Sequence, residues 1–298
     1  MISRYRLMRG LLKRKVVRRL AWQIIKLAKR QKFQKFTEDL ARTQRTPYVA
    51  FEPSDVARIV DGLEAYGAVS GPALPTSAVE YLVDYATRTP CYADRNPSQG
   101  FYLADRDKAE AELGKPLLLA QYFNVQRDQR IHDLSMDPFL LSVAARYLGA
   151  PPQLMSVNMW WTFPVKASDE DKAKHAHVFH FDLDDVKFVK FFFYLTDVDE
   201  GAGPHVYVKG SNKDIKYKTP LLKSRRFSDE EVIQAYGQEN VIEVLGEAGT
   251  CLIEDTITLH KGITPTVAPR LILQFEYSIN TYPEISCVVA DAEQRIFV

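Results

Sequence analysis

The chain divides by the spacing of its apolar residues. Across residues 15–30, Val16, Val17, Leu20, Ala21, Ile24, Leu27 and Ala28 recur at helical spacing and share one face. Lys15, Arg18, Arg19, Lys26, Lys29 and Arg30 share the other, with Trp22 among them. Residues 37–150 carry further helical patterns. One opens at Pro53-Ser54-Asp55, repeats through Val56, Ile59, Val60, Leu63 and Tyr66, and stops at Gly67. A second runs from Ser77 through Val79, Leu82 and Tyr85. A third begins at Asp137-Pro138, an acidic N-cap followed by proline at the first helical position, and stops at Gly149 and two prolines.

After Pro152 the character of the chain becomes that of strands. Segments rich in β-branched and aromatic residues occupy 154–163, 188–196, 205–208, 241–245, 250–254 and 271–279. Turn-forming residues separate them, as at 200–204 and 246–249. Strands confined to the second half predict a mainly β fold with α: a sandwich or jelly roll over about 152–282, with the helical part, 37–151, packed outside. Residues 1–36 read as a separate basic arm, and 37–298 as one domain.

Charge sharpens that boundary. Residues 1–36 hold 13 Lys and Arg and no acid, leaving 26 of the 39 basic residues against 38 acidic ones in the remainder, a net charge of −12. The arm predicts a helix packed on the body with its basic side solvated, or a helix lying on an anionic membrane surface. Nucleic-acid binding is disfavoured, because no recognition motif accompanies the basic residues and the acidic body repels a polyanion. No secretory signal is expected: the arm has no continuous apolar stretch and no small-residue cleavage site. Nor does any stretch supply the roughly 20 apolar residues of a bilayer span. Cys91, Cys251 and Cys287 are far apart and odd in number, which argues against a disulfide framework or zinc ribbon. The expected setting is reducing and cytoplasmic, with peripheral contact at the inner face of a membrane open through residues 1–36.

The chemistry concentrates at His180-Phe181-Asp182. In extended backbone residues i and i+2 point to the same side, so this imidazole and carboxylate converge. His260, just after a strand, supplies a third ligand. Two histidines and one carboxylate on one face of a metal leave positions open opposite, which suits non-haem iron oxygenases. His-x-Asp alone is weak evidence, since a surface strand with ordinary polar residues looks the same. Arg270 adds weight: it opens the strand 271–277, where its planar fork can pair with a ligand carboxylate.

Residues 154–280 resemble the phytanoyl-CoA dioxygenase family, within the double-stranded β-helix (cupin-like jelly-roll) 2-oxoglutarate oxygenases. The matching stretches are His180-Phe181-Asp182, residues 193–204, residues 206–213 (VYVKGSNK) and residues 249–260, with weaker similarity back over 50–150. The resemblance implies an Fe(II)- and 2-oxoglutarate-dependent dioxygenase that hydroxylates a C–H bond with O2, releasing succinate and CO2. It implies His180, Asp182 and His260 as iron ligands, Arg270 as the grip on 2-oxoglutarate, and Phe192 as a lining residue of that site. Strand parity then turns Lys190 and Tyr194 inward, towards substrate or co-substrate, with an anion expected to pair the buried Lys190. Asn158, on the preceding strand, and Gln274, on the same strand face as Arg270, are further co-substrate contacts. Family members often carry Gln or Trp before the first histidine, where this chain has Val178-Phe179. Many carry a hydroxyl residue two places after the second, where it has Gly262; Thr264 is expected to replace that contact. Asp182 favours hydroxylation over halogenation, because halogenases replace the carboxylate ligand with a small residue.

Two other classes compete. A catalytically inactive binding protein on the same fold is marked by loss of a triad member, and none is lost. A zinc hydrolase built on His175, His177 and His180 fails on parity, since His180 points opposite to the other two, and leaves Arg270 unexplained. His175 and His177 are expected at the substrate mouth or surface, His205 at the rim or in a structural role, and His132 on the surface. The expected substrate is a small molecule or a lipid- or saccharide-linked group.

Overall fold

Strand β6 (Phe188–Tyr194) is buried at every position, and its two faces do different work. Phe191 and Phe193 pack into the large core beneath the helices, whereas Phe192 and Tyr194 belong to a second cluster between two sheets. The computed structural model describes residues 4–43, 47–48, 51–213 and 226–298. Within them the other strands are β1 (Ala68–Gly71), β2 (Cys91–Ala93), β3 (Gly100–Phe101), β4 (Leu119–Tyr122) and β5 (Gln153–Thr162). They continue with β7 (His205–Val208), β8 (Val241–Val244), β9 (Cys251–Glu254), β10 (His260–Gly262) and β11 (Arg270–Ser278). All pair antiparallel, in an eight-stranded sheet ordered β1-β9-β6-β11-β5-β4-β2-β3 and a three-stranded sheet ordered β10-β7-β8. The small sheet packs over the even-numbered face of β6, giving the jelly roll.

Helices α1 (Arg4–Leu12), α2 (Lys15–Ala28), α3 (Arg30–Ala41), α4 (Pro53–Tyr66), α5 (Thr76–Arg88), α6 (Arg106–Leu113), α7 (Gln129–Ser135) and α8 (Pro138–Leu148) precede β5. Helices α9 (Asp169–Lys174) and α10 (Asp229–Tyr236) sit in the loops of the roll. Helix α8 begins as its sequence predicts: Asp137 accepts from the amides of Phe139 (2.8 Å) and Leu140 (3.4 Å), and Pro138 needs no partner for a missing N–H. The helical half also contributes β1 to β4 to the large sheet, which periodicity did not predict. These strands are two to four residues long and mostly buried on both faces, too short for an alternation to register.

The N-terminal region reverses the expected packing. The side of α2 turned to the body carries Arg18, Trp22 and Lys29; Trp22 Nε1 donates to the Leu148 carbonyl (2.7 Å) and Lys29 Nζ to that of Ile279 (3.0 Å). Val16, Leu20, Ile24 and Leu27 are 70, 60, 67 and 72% exposed. The surface on which α2 lands explains the reversal. It offers main-chain carbonyls, and Lys187 lies over the rings of Trp22 and Tyr147 (4.6 and 3.7 Å), so it matches the polar side of the helix.

Candidate metal centre

His180 and His260 are brought together by the backbone. Each amide donates to the other's carbonyl, at 3.0 and 2.9 Å, in an antiparallel bridge that sets the imidazole centroids 4.2 Å apart. The Nδ1 of each ring lies 2.9 Å from the carbonyl two residues earlier, Val178 for His180 and Thr258 for His260. With Nδ1–H donating there, both Nε2 lone pairs are free to face a metal. Asp182, whose amide donates to Thr256 (2.7 Å), places Oδ1 3.9 Å from His180 Nε2 and Oδ2 3.6 Å from His260 Nε2. One ligand atom from each residue fits within 4.8 Å of the others, and among the described residues this is the one group of three or more metal-ligand side chains so placed. Burial lowers the pKa of His180, keeping it the neutral imidazole that a metal requires. The extended backbone anticipated at 180–182 is present as an isolated bridge only, and His260 itself lies within β10.

These side chains open into a cavity of about 580 Å³. Arg270, at the start of β11, lines it while 3% exposed, and its Nε and Nη1 are buried without a hydrogen-bond partner. A buried cation with two unused donors is costly unless a ligand completes it. Its planar fork matches a carboxylate. Asn158, Phe192 and Gln274 also line the cavity. Tyr194 faces the space between the sheets as its parity predicts but does not reach the cavity: its hydroxyl donates to the Val244 carbonyl (2.9 Å) and accepts from the His205 amide (3.0 Å).

Lys190 turns inward, but the protein provides its partners. Its Nζ donates to Asp182 Oδ2 (2.8 Å) and Asp184 Oδ2 (3.0 Å), with Glu276 Oε2 at 3.9 Å. The expected substrate anion is therefore replaced by two of the chain's own carboxylates, Asp182 and Asp184, with the Glu276 carboxyl beside them. Burial disfavours the ammonium, yet Asp182, Asp184 and Glu276 outweigh it and hold the Lys190 pKa above its ordinary value. Burial likewise raises Asp182, but Lys190 and the two imidazoles overcome it and keep that carboxyl well below the usual range. Glu276 has its nearest cation at 3.9 Å, and burial pushes it up to about 8.

The sequence profile of the phytanoyl-CoA dioxygenase (PhyH) family matches residues 46–265. The chain belongs to that family. No curated protein matches it in sequence. Among solved structures, the epimerase SnoN in complex with Fe3+, alpha ketoglutarate and nogalamycin RO is 18% identical, with a TM-score of 0.51 over 76% of this chain and 84% of that one. EctD from S. alaskensis with bound Fe is 15% identical, with a TM-score of 0.50 over 80% of this chain and 82% of that one. At these identities the likeness is one of fold.

The departures from the phytanoyl-CoA dioxygenase family pattern now have places. A Cβ on Gly262 would lie 3.2 Å from Arg270 Nη2 and 3.3 Å from His177 Cδ2, so the hydrogen side chain leaves room beside the arginine. Thr264 does not take over that position; it is absent from the cavity wall, and its Oγ1 lies 2.8 Å from His177 Nδ1. His175 and His177 are buried, at 3 and 8% exposure, which corrects the surface alternative, although both line the cavity. His175 Nε2 is 3.2 Å from Asp94 Oδ1. His132 is exposed on α7.

His205, expected at the rim or in a structural role, lines the cavity, while several of its neighbours in the site escaped sequence reasoning. His205 Nε2 lies 2.7 Å from Glu254 Oε2, and its ring stacks 5.6 Å from that of His260. Burial pushes Glu254 up to about 8 and His205 down to about 3, so the pair is neutral near pH 7, with the acid donating. Asp184, Glu254 and Glu276 had one legible signal, an acid inside or beside an apolar strand. Tyr5 and Arg9 of α1 line the cavity too, and Tyr5 donates to Asp184 Oδ1 (3.2 Å); nothing local in the arm announces this.

Proposed function

We propose that the protein is an iron(II)- and 2-oxoglutarate-dependent dioxygenase that hydroxylates a C–H bond of a small-molecule or lipid- or saccharide-linked substrate. One observation carries the reading: the unpartnered Arg270 guanidinium is buried in the same cavity as the His180, Asp182 and His260 cluster. His180, Asp182 and His260 hold the metal, and Arg270 receives the distal carboxylate of 2-oxoglutarate. When bound, iron with 2-oxoglutarate and O2 supplies the oxidising power: one oxygen atom goes to the substrate C–H bond, the other to succinate, and CO2 is released. The chain's own residues do the positioning. The Val178 and Thr258 carbonyls fix both imidazoles, Lys190 orients Asp182, and Phe192 and Ile272 add apolar surface to the wall. Asn158 and Gln274 offer amides to the co-substrate, and Gly262 leaves the space beside Arg270.

The test is anaerobic titration of the metal-free protein with Fe(II), with and without 2-oxoglutarate, followed by admission of O2. The expected result is one iron per chain, a visible charge-transfer band only when both are present, and succinate that needs all three components. Equal succinate from zinc-loaded protein would overturn the proposal.

A further inference from the structure

The arm exposes an apolar stripe that no described residue covers. Leu7 and Leu11 on α1, each 58% exposed, continue into Val16, Leu20, Ile24 and Leu27 on α2. With Val17, these make seven of the fourteen large hydrophobic side chains exposed among the described residues, gathered within residues 7–27. Scattered exposed aliphatics need no explanation, but a contiguous stripe marks an interaction surface. Helical periodicity sets the exposed Arg19 and Lys26 along one edge of the α2 stripe, and Arg30, the first residue of α3, is exposed just beyond its end. Arg4 and Arg14 are exposed nearby.

We infer that this stripe docks the protein on the surface of an anionic membrane. An aliphatic centre with a cationic edge matches acyl chains below acidic headgroups. The charge distribution selects this occupant over the alternatives. Residues 1–36 carry 13 basic residues and no acid on a body of net charge −12, so an anionic surface attracts the arm and repels the rest. Two copies meeting stripe to stripe would bring like-charged edges together. Nucleic acid would leave the aliphatic centre unmatched, since no aromatic side chain stands in it for bases to stack on. No helix among the described residues is long and apolar enough to cross a bilayer, so the contact lies in the plane of the interface. Helix α1 joins this surface to the cavity: Leu7 and Leu11 are exposed, while Tyr5 and Arg9 line the cavity wall.

The full-length protein should be co-sedimented with phosphatidylcholine vesicles containing or lacking phosphatidylglycerol, at low and high salt. Binding is expected only to the anionic vesicles, weakening about tenfold or more at high salt. Leu20→Glu with Ile24→Glu should abolish it, and Arg19→Glu with Arg30→Glu should weaken it about tenfold or more. Circular dichroism and gel filtration should show every variant folded, because all four side chains are exposed. Failure of the wild type to bind anionic vesicles, or undiminished binding by the Leu20→Glu/Ile24→Glu variant, would overturn the inference. A wild-type dimer that this variant converts to monomer, with no vesicle binding by either, would assign the stripe to a second copy and overturn it as well.

Discussion

Lys190 Nζ stands 2.8 Å from Asp182 Oδ2, so the carboxylate of the candidate metal cluster has a buried ammonium as its fixed partner. The same ammonium is 3.0 Å from Asp184 Oδ2, and its side chain is only 9% exposed. Removing it leaves Asp182 and Asp184, whose side chains are 25 and 14% exposed, without their cation. Truncating one partner of a fully buried pair costs about 3–5 kcal/mol, and the partial exposure of these acids puts the loss at the lower end of that range. Lys190→Met should therefore lower the urea stability of the metal-free protein by an amount of that order, and Asp184→Asn in the same background should recover part of it. An unchanged unfolding midpoint in Lys190→Met would show that the pair contributes nothing net.

Arg270→Ala should raise the Michaelis constant for 2-oxoglutarate about thirtyfold or more, the equivalent of losing one partner of a buried charge pair. Iron stoichiometry should hold, because the guanidinium is no part of the metal cluster. Arg270→Lys should recover only part of the loss, since an ammonium lacks the planar fork. A Michaelis constant unchanged in Arg270→Ala would assign the grip on 2-oxoglutarate to another residue.

Five alanine variants separate ligands from neighbours. His180→Ala, Asp182→Ala and His260→Ala should each lose tight iron binding, whereas His175→Ala and His177→Ala should keep most of it. All five side chains line one cavity, but His175 Nε2 lies 3.2 Å from Asp94 and His177 Nδ1 is 2.8 Å from Thr264 Oγ1, and neither belongs to the cluster of converging ligand atoms. Iron content measured for each variant decides the matter. Loss of iron in His175→Ala with retention in Asp182→Ala would replace the proposed ligand set.

The Glu254–His205 pair sets a pH dependence for the metal-free protein. The folded pKa of Glu254, about 8, exceeds its ordinary 4.5, so its contribution to stability is full below pH 4.5 and is lost as pH rises towards 8. His205, lowered from 6.5 to about 3, behaves oppositely and adds stability as pH rises through that window. The two offset each other between pH 4.5 and 6.5. From pH 6.5 to 8 stability should fall, by about 1.4 kcal/mol per pH unit for each such acid. Glu276, also at about 8, adds to the slope. Glu254→Gln keeps a donor for His205 and should cut the decline by about half. Urea midpoints across this range measure it; parallel slopes for the two proteins would clear Glu254 of the effect.

Local pattern was enough for the longer strands of the roll and for setting His180 beside Asp182. The β-branched and aromatic segments set between turn residues after Pro152 mark the strands of the roll, and the i, i+2 spacing in His180-Phe181-Asp182 brings two candidate ligands to one side of extended chain. Parity in β6 likewise turned Lys190 inward. What Lys190 meets there was not legible: Glu276 joins it from β11, 86 positions later, through the strand register. Strands β2 and β3 were hidden because two or three buried residues show no alternation. The arm shows the same division most plainly. Periodicity separates the apolar from the basic side of α2, but which side meets the body depends on the surface it lands on. That surface presents the Leu148 and Ile279 carbonyls and the Lys187 ammonium, so Trp22 and Lys29 turn inward and Leu20 and Ile24 outward. An amphipathic pattern is a property of neighbours along the chain. Burial is a property of neighbours in space, and only the tertiary structure decides those.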